Sequence, residues 1–212
     1  MITQMTYPGG ATSSAVIYNE SVLPVAIQLT ALKRNIDKRG LEKNEEEFDD
    51  ISVYPPQIVV PPNSKKTFKI VYTGKPLTDK ELSYRVLVEE SPVDLNPIKI
   101  KGSGIKFKVR YMTAVYVTPK NASSDVTVKG ISREKGKFIL TLVNTGSKHQ
   151  LLNNLKVTFK HKGLSVSLDK RELKGVTGEN ILSKSERSFV LDSASINKVN
   201  LESETSVSFD PN

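Results

Sequence analysis

Short runs of alternating apolar and polar residues recur along this chain, whereas the apolar spacing of an amphipathic helix is hard to find anywhere. The runs are rich in β-branched residues, and Pro, Gly, Asn and Ser separate them at roughly the 8–12-residue spacing of a β-sandwich. We therefore expect an all-β protein. The predicted strands are residues 15–18, 25–32, 57–60, 67–72, 83–89, 98–117, 126–131, 137–143, 156–160, 165–168, 188–191 and 205–209.

A short polar segment that begins at Pro119 lies near the middle of the chain. A boundary there gives parts of about 118 and about 90 residues, each close to the size of an immunoglobulin-like sandwich. The sequence predicts a first domain at residues 1–118, a linker at 119–124 and a second domain at 125–212. We expect two immunoglobulin-like β-sandwich domains joined at an angle, because the short linker leaves little freedom.

Composition excludes several kinds of site. The 212 residues include no cysteine, so disulfide scaffolds, thiol nucleophiles and cysteine zinc sites are excluded. The two histidines, His149 and His161, are too few for most histidine-built metal sites. No phosphate-binding loop and no carboxylate pair on one strand face stands out. We therefore expect no metal, no cofactor and no enzyme activity.

Hydropathy and charge bear on the location and the partners of the protein. No run of about 18 apolar residues is present, so we expect no helix that crosses a membrane. The first 20 residues lack the apolar core of a secretion signal, and we expect either a cytosolic protein or one whose signal was removed before this numbering began. The formal net charge is +8, which can attract acidic partners. The acidic stretch at residues 42–50 is interpreted as a solvated loop or hairpin tip.

Residues 98–117 form an unusually long predicted strand, within a segment that contains no Asp or Glu. Strand periodicity places Ile105, Phe107 and Val109 on one face and the cations on the other. An ordinary half-buried strand with a solvated outer face gives this pattern, and so does an apolar edge that pairs with another chain. Because the cations and the aromatic residues face opposite sides, we do not expect a nucleic-acid site.

The order of these features resembles the PapD-like periplasmic chaperones of the chaperone–usher fimbrial pathway. In the first half, the resemblance rests on the long alternating strand that ends in YVTP and on four earlier segments. These segments are VIYNES at 16–21, LPV at 23–25, VYPPQIVVPPNSKK at 53–66 and YRVLVEESP at 84–92. In the second half, it rests on LTLVNTGSKH at 140–149 and ILSKSERSF at 181–189. The resemblance covers most of the chain.

The resemblance implies a function in pilus assembly. The family folds and caps fimbrial subunits by donor-strand complementation and delivers them to an outer-membrane usher, and it acts in the periplasm. Its last first-domain strand lends alternate apolar side chains to the open groove of the subunit. The matching positions in this sequence are Ile105, Phe107 and Val109. The resemblance also implies that Asn144 forms a turn and that His149 is structural.

The sequence departs from the family at the residues that hold the subunit's C-terminal carboxylate. The best-known members have an Arg early in the first strand and a Lys late in the lending strand. This chain has Gln4 or a neighbour at the first of these positions and Ala114 at the second, and neither is basic. This departure indicates one of the non-classical branches, called alternate or archaic. Arg85 is the first candidate for the anchor because a guanidinium binds a carboxylate through two hydrogen bonds. Arg110 is the second candidate.

Two other classes of function compete with a chaperone. A structural or adhesive cell-surface protein with immunoglobulin-like domains is the main alternative, in which the long strand completes its own sheet. An enzyme is a distant third. The sequence therefore predicts a fimbrial subunit and an usher as partners, with neither nucleic acid nor membrane insertion.

Overall fold

The structure is a computed structural model that describes residues 2–9, 11–77, 79–91, 95, 109–191, 199–200 and 202–209. These residues contain β-strands, turns and loops, and no helix. The chain therefore has the predicted all-β fold. Within the same ranges, no helix is long and apolar enough to cross a membrane.

The chain divides into two compact units. The first comprises Met1–Asn35, Asn44–Thr78 and Leu82–Lys120, and the second comprises Ile36–Lys43, Asp79–Glu81 and Asn121–Asn212. The domain limits at 118 and 125 stay a prediction from the sequence.

The strands up to Pro119 form two sheets. Their bounds are β1 Ile2–Tyr7, β2 Thr12–Asn19, β3 Val25–Ile36, β4 Glu42–Glu46, β5 Ile51–Tyr54, β6 Gln57–Val60, β7 Ser64–Tyr72, β8 Leu82–Glu90 and β9 Arg110–Pro119. One sheet has the order β1-β9-β8-β3-β4, with β6 also paired to β3, and the other has the order β2-β7-β5.

The core of the first unit is built from alternate residues of these sheets. Its buried members include Met5, Leu29, Val60, Phe68, Ile70, Tyr84, Val86, Val115 and Val117. Alternation along a strand turns every second side chain toward this core. The opposite face of the sheet that contains β9 is called the outer face below.

The second unit has its own core and three small sheets. Its strands are β10 Val126–Glu134, β11 Lys137–Asn144, β12 Gln150–Leu151, β13 Leu155–His161, β14 Leu164–Leu168, β15 Asn180–Ile181, β16 Ser185–Leu191 and β17 Glu204–Phe209. The sheet orders are β10-β11-β16, β14-β13-β17 and β12-β15. The buried side chains include Leu140, Leu142, Leu155, Val157, Phe159 and Leu168.

Polar side chains fix the turns of the second unit. The buried Asn144 accepts hydrogen bonds from the backbone N–H groups of Asp125 and Gly146, both at 3.0 Å. Its amide donates to the carbonyl of Lys148 at 2.8 Å. The His149 ring lies 2.6 Å from the buried carboxylate of Glu81 through Nδ1. Both side chains therefore have structural partners at these positions.

The predicted strands are present wherever the structure describes them, and the prediction for the acidic stretch was partly wrong. Residues 42–46 form β4, which pairs with β3 at the edge of its sheet. Charged residues suit an edge strand because one side of it stays in contact with water. Pairing with β3 therefore overrides the low strand propensity of this stretch.

Candidate functional site

Strand β9 has different neighbours on its two edges. Strand β8 pairs antiparallel with it along residues 110–117. Strand β1 pairs with it in parallel on the other edge, but only from Ala114 to Pro119. Within the described part of the chain, residues 110–113 therefore have a strand neighbour on the β8 side alone.

The apolar side chains on the core-side face of β9 change from buried to exposed toward the open edge. Val115 and Val117 face the core and are completely buried, and Val109 and Tyr111 lie on the same face by strand periodicity. Val109 is nevertheless 50% exposed and Tyr111 is 70% exposed. Proteins usually protect an edge with charge, so an exposed apolar row at an open edge indicates a surface for pairing with another chain.

The other residues predicted for this row lie outside the described residues. Ile105 and Phe107 belong to the segment of which nothing is described, whereas Val109 directly precedes β9. The Val109 carbonyl accepts a hydrogen bond from the N–H of Glu90 at 3.4 Å, so pairing with the β8 side reaches this residue. The alternation from residue 105 to residue 111 also places Tyr111 on this face, but the subunit-binding residues predicted from the sequence were Ile105, Phe107 and Val109 alone.

The outer face of β9 carries different groups. Arg110 lies opposite Glu89, and its Nε is 3.1 Å from the Glu89 carboxylate. Met112 is 55% exposed. Its sulfur accepts a long hydrogen bond from Nδ2 of Asn44, with 4.0 Å between the two atoms. Arg110 is therefore ion-paired on the outer face, as its strand position predicts.

Arg85 occupies the middle of the same outer face. It lies directly opposite Ala114 on β9 and opposite Leu32 on β3, and it is half-buried. On the far edge, Ala114 pairs with Ile2 of β1.

A second arginine lies on the same face. The Arg34 guanidinium donates a hydrogen bond of 2.8 Å from Nη1 to the hydroxyl of Tyr116. Tyr116 follows Ala114 by two residues, so the two residues share a face of β9. The pairing of Ser83 with Tyr116 places Ser83 there as well. Sequence reasoning missed Arg34, Ser83 and Tyr116.

One buried phenol beneath this sheet has a shifted pKa. The Tyr84 hydroxyl donates to Oδ2 of Asp50 at 2.9 Å. Burial, followed by the hydrogen bond to this carboxylate, raises the pKa of Tyr84 well above its usual value of 10.0. The phenol is therefore a neutral donor that ties β8 to the start of β5.

The sequence was compared with protein-family models and with curated proteins. The family model described as pili and flagellar-assembly chaperone, PapD N-terminal domain, matches residues 2–123. No curated protein matches the sequence.

Three solved structures with low sequence identity share the fold. A crystal structure of the CsuC–CsuE chaperone–tip adhesion subunit pre-assembly complex, from the archaic Csu pili of Acinetobacter baumannii, matches with 18% identity and a TM-score of 0.66. The match covers 97% of this chain and 94% of that chain. The class 5 fimbriae chaperone CfaA matches with 14% identity, 100% and 96% coverage and a TM-score of 0.63. The E. coli chaperone DraB matches with 18% identity, 91% and 83% coverage and a TM-score of 0.55.

The family model covers more than half of the chain, and the solved structures share its two-domain all-β fold. The resemblance predicted from the sequence is therefore confirmed. This chain belongs to the PapD family of pili and flagellar-assembly chaperones.

Proposed function

We propose that this pilus-assembly chaperone acts in the periplasm and holds an incomplete fimbrial subunit by donor-strand complementation. The observation that carries the proposal is the open edge of β9 at residues 110–113, with the exposed Val109 and Tyr111 on its core-side face. The lent row comprises Ile105, Phe107 and Val109 from the sequence and Tyr111 from the structure. Burial of each such side chain contributes roughly 1.5–3 kcal/mol before the cost of ordering the partners.

The pairing of β1 supports a direction for the incoming strand. Strand β1 runs parallel to β9 and begins opposite Ala114. A subunit strand on the open edge occupies the same side of β9, in line with β1. If it also runs parallel to β9, its C-terminal end is the end that meets β1, beside Ala114.

Arg85 is our first choice for the residue that binds the subunit's terminal carboxylate. It lies opposite Ala114, at the level where the open edge ends and close to where that terminus is placed. Arg110 is the second choice. It lies four residues before Ala114 on β9, where it is ion-paired with Glu89 at 3.1 Å.

Purification from the periplasm tests the proposal. We expect the chaperone to co-purify with a smaller subunit in a one-to-one complex, identified by mass spectrometry, and we propose an outer-membrane usher as the protein that receives this complex. The Val109→Glu variant should lose the subunit and keep its melting temperature, since a charge in the subunit's groove must be desolvated. A chain that is recovered alone and on the cell exterior would instead support a surface protein with immunoglobulin-like domains.

A further inference from the structure

We propose that β14 of the second unit pairs with β14 of a second copy of this chain, so that two copies associate edge to edge. Strand β14 comprises Leu164–Leu168, with the sequence LSVSL. It forms one edge of the sheet β14-β13-β17, and no strand that the structure describes lies on its other side. The proposed interface contains no residue of β9, so it differs from the edge that we propose for the subunit.

The edge at β14 lacks the usual protection against pairing. Proteins commonly protect an exposed edge with charged residues or with proline. The edge strand β4 follows this rule, because its sequence is EKNEE. In contrast, β14 contains neither a charged residue nor a proline, and Leu164 at its start is 76% exposed. An uncharged edge with an exposed leucine indicates a surface that another strand covers.

The turn before β14 determines which backbone groups reach the open edge. The two-residue loop at 162–163 joins β13 to β14 and has positive φ at both residues. The residues that flank such a loop exchange N–H···O bonds with each other, and hydrogen-bonded pairs then alternate along the ladder. Every second residue from Leu164 onward therefore bonds to β13. The N–H and C=O groups of Ser165 and Ser167 point to the open edge.

The sequence LSVSL is the same in both directions, which makes β14 complementary to a second copy of itself. A two-fold axis through Val166 places Ser165 opposite Ser167 of the second copy, and Leu164 opposite Leu168. Because both serines direct their backbone groups to the open edge, each such pair can exchange both of its N–H···O bonds. The exposed Leu164 comes to lie on the core-side face of the joined sheet, beside apolar residues instead of water.

Charges at the two ends of β14 suit this antiparallel arrangement. Lys162 lies just before the strand, and Asp169 follows it directly. Backbone and side-chain hydrogen bonds from Arg171 lower the pKa of Asp169 to about 2, so this carboxylate is ionised at neutral pH. In the dimer, Lys162 of each copy comes close to the level of Asp169 in the other copy. Lys170 lies at the same end and offsets part of this attraction, so the association depends mainly on the backbone bonds.

The interface is small, so the dimer should be weak and reversible. Pairing of two five-residue strands buries less than the roughly 1,200 Å² of a stable interface. Sedimentation equilibrium of the whole chain should therefore show a change from monomer to dimer between roughly 10 µM and roughly 1 mM. A protein that stays monomeric over this whole range would overturn the inference.

Cysteine cross-linking tests the register, because the chain itself contains no cysteine. The two copies of Val166 meet on the axis with their Cα atoms about 4.5 Å apart, a separation that allows a disulfide. The two copies of Ser165 are diagonal neighbours at about 7–8 Å, which is too far. With diamide as the oxidant, Val166→Cys should form a disulfide dimer at least about tenfold faster than Ser165→Cys, although Ser165 is the more exposed residue. The opposite order would overturn the inference.

Leu164→Lys and Leu41→Lys are the matched pair for sedimentation, because these leucines are 76% and 73% exposed and only Leu164 belongs to β14. Leu164→Lys should keep the wild-type melting temperature and weaken self-association by at least about tenfold, since a lysine protects an edge. Leu41→Lys should associate as the wild type. Equal association by the two variants would overturn the inference. Loss of the dimer in Val109→Glu but not in Leu164→Lys would place the association on β9, which overturns the inference as well.

Discussion

Arg85 of β8 lies directly opposite Ala114 of β9, at the point where β1 begins to cover the far edge of β9. Three features therefore meet at one level of the sheet: a cation, a small residue and the end of an open edge. In the first unit, this is where a strand added beside residues 110–113 would terminate. This is the level at which we propose the carboxylate site.

Arg85→Ala should lose subunit binding out of proportion to any loss of stability. A charge-assisted hydrogen bond contributes about 1.5–3 kcal/mol, which corresponds to roughly tenfold to a hundredfold in the dissociation constant. Subunit binding and the melting temperature should be measured on the same samples. Arg110→Ala is the control, because it removes an exposed ion pair and should change binding little. Normal binding by Arg85→Ala together with lost binding by Arg110→Ala would move the anchor to Arg110.

The burial of the Tyr84 phenol, together with its hydrogen bond to Asp50, should make stability depend on pH in the alkaline range. The pKa of Tyr84 is raised in the folded chain above its usual value of 10.0, so the folded state keeps the phenol proton when the unfolded state loses it. This contribution to stability is present below about pH 10 and decreases as the pH rises further. Thermal unfolding near pH 8 and near pH 11 should show the decrease, and Tyr84→Phe should show a smaller one. An equal decrease in both proteins would contradict the assignment.

Glu81→Ala should destabilise the second unit. The Glu81 carboxylate accepts from the backbone N–H of His149 at 3.1 Å and lies 2.6 Å from its ring Nδ1, and both side chains are almost fully buried. Removing the carboxylate deletes both of these buried contacts, and the loss of a buried hydrogen-bond partner costs about 1–3 kcal/mol. Denaturant titration should show a lower free energy of unfolding for Glu81→Ala, whereas Glu134→Ala, at an exposed position, should have the wild-type value. A wild-type value for Glu81→Ala would show that water replaces the carboxylate.

Most of the strands were predictable from the sequence, because alternation and proline or glycine boundaries are local signals. Strands β1, β5, β12 and β15 were not predicted. Strand β4 was missed because its charged residues have low strand propensity, and only pairing with β3 makes them a strand. The apolar row at residues 105–109 was visible as alternation, although the exposure of Val109 was not. The Arg34–Tyr116 bond joins residues that are 82 positions apart, so it depends on the register of three strands. No local pattern carries that information.

The most direct test of the account changes two neighbouring residues of β9. Tyr111 and Met112 are both exposed, at 70% and 55%, but they lie on opposite faces of the strand. Because Tyr111 belongs to the core-side row, Tyr111→Glu should weaken subunit binding by at least about tenfold, since the introduced charge must be desolvated. Met112→Glu should bind nearly as the wild type, and both variants should keep the wild-type melting temperature. Equal binding by the two variants, or greater loss with Met112→Glu, would contradict the claim that the core-side row of β9 is lent to the subunit.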